Sequence, residues 1–390
     1  MSGEYSSTLP EATPEQAAQS ARVLQALRER IGEQSGWLAF DDYLRLVLYA
    51  PGLGYYSAGS AKLGAAGDFV TAPELSVLFG RCLARQCAQV LSRTGGDLLE
   101  LGAGTGRLAV DLLTRLAELG ALPDRYRILE VSAEFRQRQR ETLRQLPSEL
   151  HERVEWLEAL PATPFAGVMV ANEVIDALPF RRFVVAGRSV LERGVGLSTS
   201  GALVDADRPA TPELLDELAR LRPEGWPPRY QSEWCPMLGP WIAALAAGLV
   251  RGALLLIDYG LPRHEYYHEQ RDRGTLRCHF RHRAHDDPLL HPGVQDITAW
   301  VEFTRVAEAA SEAGLEVAGY CTQAAFLLSS GIESEVAAAA DGMTRTRLAA
   351  EAHTLLLPGE MGESFKVMAL TRGFEPPLTG FALQDLRRSL

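Results

Sequence analysis

Several things are missing from this 390-residue chain, and each absence removes a class of function. No pair of its five cysteines has C-x-x-C spacing, so neither a zinc-finger arrangement nor a disulfide framework is expected, and the chain reads as reduced. There is no excess of positive charge: 39 Lys and Arg stand against 50 Asp and Glu, a formal net charge of −11, which argues against a nucleic-acid backbone as partner. No uncharged run reaches membrane-spanning length, and the polar first residues lack a basic stretch followed by an apolar core. These absences suggest a soluble, cytoplasmic protein with no membrane or nucleic-acid partner. No G-x-x-x-x-G-K-[ST] phosphate loop occurs, and a dinucleotide fingerprint fails at its third glycine, where Arg107 stands.

What is present centres on residues 97–106. Asp97 to Leu101 is a short apolar run ending in an acid and a leucine; Gly102, Gly104 and Gly106 follow, and leucines then recur at helical spacing over 107–119. A glycine loop between strand and helix lets a ligand approach the main chain, with the free N–H groups of the helix start facing it. The pattern here is E-x-G-x-G-x-G. Glu100, two residues ahead of the first glycine, suits a ligand with an ammonium group, and S-adenosylmethionine (SAM) carries one. Gly102, Ala103, Gly104 and Gly106 are the expected cradle.

Other strand ends carry acids as well. Residues 126–132 read as a second strand closing on Glu130, whose two oxygens match the paired hydroxyls of a ribose, with Val131 beside it. Glu158, after a short strand at 154–156, reads as a solvated loop acid. A buried strand at 167–171 runs into Asn172, Glu173 and Asp176, three polar groups crowded at a strand end, where they are costly without partners. The next strand, 253–260, also ends in an acid. A helix expected over 73–91 leads directly into the first strand, which makes Pro73 and Glu74, along with Asp68 and Thr71, candidate cofactor neighbours.

Around this core, Thr13-Pro14-Glu15-Gln16 has the form of a capping box opening a helix to about residue 34, and a second helix is expected over 40–49. Residues 180–205 alternate like an antiparallel insertion, with strands expected at 182–185, 189–193 and 194–204. Six of eight histidines, His264, His268, His279, His282, His285 and His291, fall in the polar segment 263–292. Their spacing matches no recognised zinc pattern, so no metal is expected, and the segment reads as a long lid-like loop with His282 on the substrate side. The last part suggests a helix over 299–313, a strand over 315–320, further helices and a strand over 365–371.

Taken together, residues 49–56, 67–80, 100–106, 130–132, 172–179, 257–260, 286–303, 326–332 and 361–370 resemble the class I SAM-dependent methyltransferases. The likeness is to the bacterial and mitochondrial family that includes an arginine methyltransferase serving complex I assembly. It departs from that pattern at His279, where an aromatic is expected, and at Glu302, where Asp is usual. The resemblance implies an α/β fold: a seven-stranded Rossmann-like sheet with an N-terminal helical extension and an antiparallel β and helical insertion. The expected parts are 1–92, a helical extension and cofactor-covering loop; 93–179, the SAM-binding half; 180–250, the insertion; and 251–390, the second half of the sheet. It also implies methyl transfer to a protein presenting arginine, with Glu173 and Asp176 gripping the guanidinium and Asn172 a positioning group near the sulfonium. A homodimer is compatible with all of this. Methylation of another substrate, and SAM binding by an assembly chaperone without turnover, remain open.

Overall fold

A computed structural model describes residues 9–57, 71–222 and 225–390, and the chain divides into two compact units. One comprises Thr71–Leu178, Pro236–Tyr266 and Trp300–Leu390. Its centre is a sheet of seven strands in sequence, β1 (Asp97–Leu101), β2 (Tyr126–Leu129), β3 (Val154–Leu157), β4 (Phe165–Asn172), β5 (Leu249–Leu261), β6 (Glu316–Thr322) and β7 (Phe365–Arg372). Their spatial order is β3-β2-β1-β4-β5-β7-β6, and a short strand, Val301–Glu302, pairs with the end of β5.

Strands β1 to β5 are parallel, whereas β7 runs antiparallel to both its neighbours. Strand order reverses between β1 and β4, and it is at the carboxyl ends beside such a switch that α/β sheets bind ligands. Strands β1 and β4 read as nearly unbroken apolar runs because helices cover both faces of a parallel sheet. Leu98, Leu99, Val168, Met169 and Val170 are accordingly buried. The expected seven-stranded α/β sheet is therefore present.

Two expected helices begin differently. The one read over 73–91 is broken into Ala72–Leu75 and Val77–Thr94 by Ser76, an extended residue whose hydroxyl accepts from the Leu78 amide and so caps the longer helix. The one read over 299–313 starts at Phe303 because the Glu302 carboxylate accepts from the Arg305 amide.

The other unit comprises Met1–Val70, Pro179–Cys235 and Tyr267–Ala299. Its first helix, Pro14–Glu33, carries the capping box read in the sequence, with Gln16 and Thr13 bonded reciprocally at 3.0 and 3.2 Å. The insertion is antiparallel, as expected, in the order Leu203–Pro209, Ser189–Leu197, Arg181–Ala186, Gln231–Trp234. Strand 189–197 passes through Gly194, where the sequence suggested a break. A Cβ there would lie 2.3 Å from the Leu38 carbonyl oxygen, so glycine serves the close approach of that backbone.

The histidine-rich segment is not a loop throughout: Arg277–Phe280 and Arg283–His285 form a hairpin, and Arg277–Phe280 also pairs with Asp296–Thr298. Its two turn residues, Arg281 and His282, both have positive φ, 48° and 62°, a geometry normally signalled by Asn-Gly. That signal is absent here, which hid the hairpin.

Candidate functional site

The glycine loop leaves β1 with Gly102, Gly104 and Gly106 at φ of 65°, 51° and 85°, backbone that side-chain-bearing residues rarely adopt. Gly106 caps the helix Arg107–Glu118, and a Cβ on it would sit 3.2 Å from Gln139 Cα. Ala103 is buried between them and its carbonyl accepts from the Gly106 amide at 2.7 Å. The start of the neighbouring helix reaches this loop, since the Glu74 carboxylate accepts from the Thr105 hydroxyl. Pro73, in the first turn of that helix, is buried. Asp68 lies outside the described residues.

Glu100 is buried under the loop, where it accepts from the Tyr126 hydroxyl at 2.6 Å. Loss of hydration pushes its carboxyl up from 4.5 to about 7, against the lowering effect of the Tyr126 bond.

At the end of β2, each oxygen of Glu130 has a separate donor: Oε1 accepts from the Ser132 amide at 2.9 Å and Oε2 from Gln139 Nε2 at 3.0 Å. Burial raises the Glu130 carboxyl above its ordinary value. Gln139 also donates to the Gly104 carbonyl at 3.1 Å and accepts from Trp156 Nε1 at 3.1 Å. One fully buried amide thus ties together the acid, the glycine loop and β3. The sequence gives no cue for Gln139, because it stands on a helix otherwise rich in exposed Arg and Glu. Val131, next to this buried acid, is 72% exposed. Glu158 pairs with Arg136 at the surface, in keeping with a solvated acid.

The end of β4 holds a second cluster. Glu173 has φ of 53°, left-handed for a residue with a side chain, and its amide donates to the Ile257 carbonyl at 2.9 Å. Asn172 Nδ2 donates to Glu173 Oε1 at 3.0 Å, leaving Asn172 Oδ1 buried with no hydrogen-bond partner among the described residues. Asp176 accepts from the Tyr259 hydroxyl through Oδ2, and its Oδ1 likewise is buried without a partner. Burial raises the Asp176 carboxyl to about 6.

The turn carrying these residues is pinned by Asp258, the acid that ends the apolar run of β5. Its Oδ2 accepts from the amides of Ile175 and Asp176 at 3.0 and 3.2 Å, and its Oδ1 from the Tyr259 amide at 2.9 Å. Asp258 is fully buried, and lost hydration, then the nearby charges of Asp176 and Glu173, push it well above the carboxylate range. The strand-end position of Asp258 was a readable signal; the role of Tyr259 was not.

SAM would need a glycine cradle for its methionyl arm, paired acceptors for its ribose and an apolar surface for its adenine. The loop 102–106, the oriented carboxylate of Glu130 and the exposed Val131 supply such groups at adjacent strand ends, so these residues fit that ligand. No group of His, Cys, Asp and Glu that could hold a metal occurs among the described residues. Glu302 pairs with Arg263 at 3.3 Å and caps the helix that follows it, which gives it a structural task in place of the expected Asp.

Residues 82–321 match the family described as "Putative S-adenosyl-L-methionine-dependent methyltransferase". The chain is similar to a crystal structure from Burkholderia thailandensis bound to S-adenosyl-homocysteine, at 46% identity and a TM-score of 0.94, over 98% of this chain and 100% of that one. It is 28% identical to the mitochondrial protein arginine methyltransferase NDUFAF7 of Danio rerio, over 86% of this chain and 84% of the relative. The human NDUFAF7 is also 28% identical, over 87% and 81% of the two chains. These relatives are named mitochondrial, which overturns the expectation of a cytoplasmic protein. With a family match over more than half its length, this chain belongs to the S-adenosyl-L-methionine-dependent methyltransferases.

Proposed function

We propose that the chain transfers the methyl group of SAM to an arginine side chain of a protein. The observation that carries this reading is the pair of buried acceptors, Asn172 Oδ1 and Asp176 Oδ1, that lack donors at the end of β4. A buried acceptor without a donor costs about 1–3 kcal/mol, so such a cluster favours a ligand that brings N–H groups. A guanidinium brings five donors and accepts nothing. The arginine methyltransferase names of the relatives agree with that choice.

In this reading Gly102, Ala103, Gly104 and Gly106 line the methionyl arm, Glu100 and Glu74 supply hydrogen-bond acceptors near it, with Pro73 opening the helix that carries Glu74. Glu130 holds the ribose and Val131 the adenine. The bound SAM supplies an electrophilic methyl on a sulfonium. Methyl transfer is an in-line displacement, so the protein's share of the work is alignment and exclusion of water. Glu173 and Asp176 grip the guanidinium fork, which is always protonated in water and a poor nucleophile. Asn172 aligns the attacking nitrogen.

Mass spectrometry of proteins from cells with and without this chain tests the substrate class. Arginine residues carrying methyl groups only in cells that contain the chain are the expected result. Methyl groups that depend on the chain but sit on other side chains or on small molecules would overturn it.

A further inference from the structure

Methylation of a guanidinium must release a proton. The substrate guanidinium and the sulfonium each carry one positive charge; the products are a methylguanidinium, still positive, and a neutral thioether. As the N–C bond forms and the C–S electron pair passes to sulfur, one N–H proton has to leave the attacking nitrogen. On the arginine reading above, on which this inference rests, some group at the end of β4 must take that proton.

The hydrogen bonds there discriminate among the candidates. Asn172 is an amide and is not a base. Glu173 already accepts from Asn172 Nδ2 and is only half-buried. Asp258 is fully buried and both its oxygens accept from backbone amides, those of Ile175, Asp176 and Tyr259, so it is committed to holding the turn and faces no substrate. Asp176 differs from all three. One of its oxygens is occupied by the Tyr259 hydroxyl, which fixes the plane of the carboxylate, and the other is buried and has no partner among the described residues.

We propose that Asp176 Oδ1 receives the proton released by the attacking nitrogen, with Tyr259 as the residue that positions the Asp176 carboxylate and Asp258 as the residue that positions its turn. Tyr259 is itself held in place, its ring packing edge-on against Phe365 at 5.4 Å. The titratable groups set against Asp176 are Tyr259 and Asp258 from β5 and Glu173 from its own turn. Burial raises the Asp176 carboxyl to about 6, while the Tyr259 bond and then the nearby backbone amides of Ala177 and Asp176 oppose that rise. A base with this affinity is ionised at neutral pH and still takes a proton readily.

Removing the Tyr259 hydroxyl therefore shifts Asp176 upward, by about one pH unit for a charge-assisted hydrogen bond. The test follows single-turnover transfer of tritiated methyl from SAM to the protein extract of cells lacking this chain, as a function of pH, with acid hydrolysis to identify methylarginine. In wild type the rate should fall on the acid side with a midpoint near that of Asp176, about 6. In Tyr259→Phe the midpoint should move up by about one unit, so that the rate at pH 6 falls several-fold further than the rate at high pH. Independently of turnover, the 13C carboxyl resonance lost in Asp176→Asn should titrate at the same midpoint and move upward in Tyr259→Phe.

A Tyr259→Phe protein slowed equally at every pH, or an unmoved carboxyl midpoint, would overturn the assignment. Label recovered outside methylarginine would overturn the arginine reading instead. The carboxyl titration would then still decide whether Tyr259 tunes Asp176, because it does not depend on which nucleophile loses the proton.

Discussion

Gln139 donates to Glu130 Oε2 at 3.0 Å, and through the same amide nitrogen it reaches the carbonyl of Gly104 at 3.1 Å. These two bonds from one nitrogen orient the acid assigned to the ribose and fix the glycine loop against it. Gln139→Leu keeps the side chain's bulk but leaves Glu130 Oε2, the Gly104 carbonyl and Trp156 Nε1 short of a partner. SAM affinity, measured by calorimetry, should fall by about tenfold, equivalent to about 1.4 kcal/mol. Unchanged affinity in a folded variant would show that Glu130 needs no such support.

The loop itself gives a second prediction. Gly104 has φ of 51°, and a β-branched residue there is strained by about 1–2 kcal/mol and puts a side chain into the cradle. Gly104→Val should remain folded by circular dichroism and lose SAM binding below detection. Full SAM affinity in the folded variant would contradict the cradle.

Glu100 ties stability to pH. Burial raises its carboxyl from 4.5 to about 7, so between those values the folded chain keeps a proton that the unfolded chain has given up. Its contribution is fully present below pH 4.5 and is lost as pH rises through 7, a change of about 3 kcal/mol. Glu100→Gln retains an acceptor for the Tyr126 hydroxyl and removes this dependence. Urea unfolding at pH 5 and pH 8 should show a smaller loss of stability in the variant than in wild type, and equal losses would contradict the assignment.

Chelation offers a fourth test. Exhaustive treatment with a chelator should leave methyl transfer unchanged. Stoichiometric zinc in the purified protein, lost together with activity, would contradict the account.

Much of the fold was readable because strands of a parallel sheet must be apolar on both faces. Asp97–Leu101 announced itself to the residue, and Phe365–Arg372, antiparallel to its neighbours but equally buried, within one residue, whereas the strand read over 126–132 begins at Tyr126 and stops at Leu129, ahead of its acid. Strand-end acids were visible for the same reason, since Glu130, Asp176 and Asp258 interrupt or follow apolar runs. What stayed hidden depends on tertiary contact. Gln139 looks like any polar residue on a helix until Trp156, Glu130 and Gly104 close around it. Tyr259 looks like core until its hydroxyl meets Asp176, which is distant in sequence. The hairpin at Arg281 and His282 uses positive φ at residues that do not advertise it.

The most direct measurement of the central claim compares wild type with Glu173→Gln. Glu173 receives the Asn172 amide at 3.0 Å beside the buried acceptors, and the substitution removes its charge at nearly constant size. SAM affinity by calorimetry is read beside single-turnover transfer of labelled methyl to arginine in the protein extract of cells lacking this chain. A charged hydrogen bond contributes about 1.5–3 kcal/mol, so the account predicts SAM affinity within about twofold of wild type and a rate at least about tenfold lower. A wild-type rate, or a loss of SAM affinity that matches the loss of rate, would contradict it.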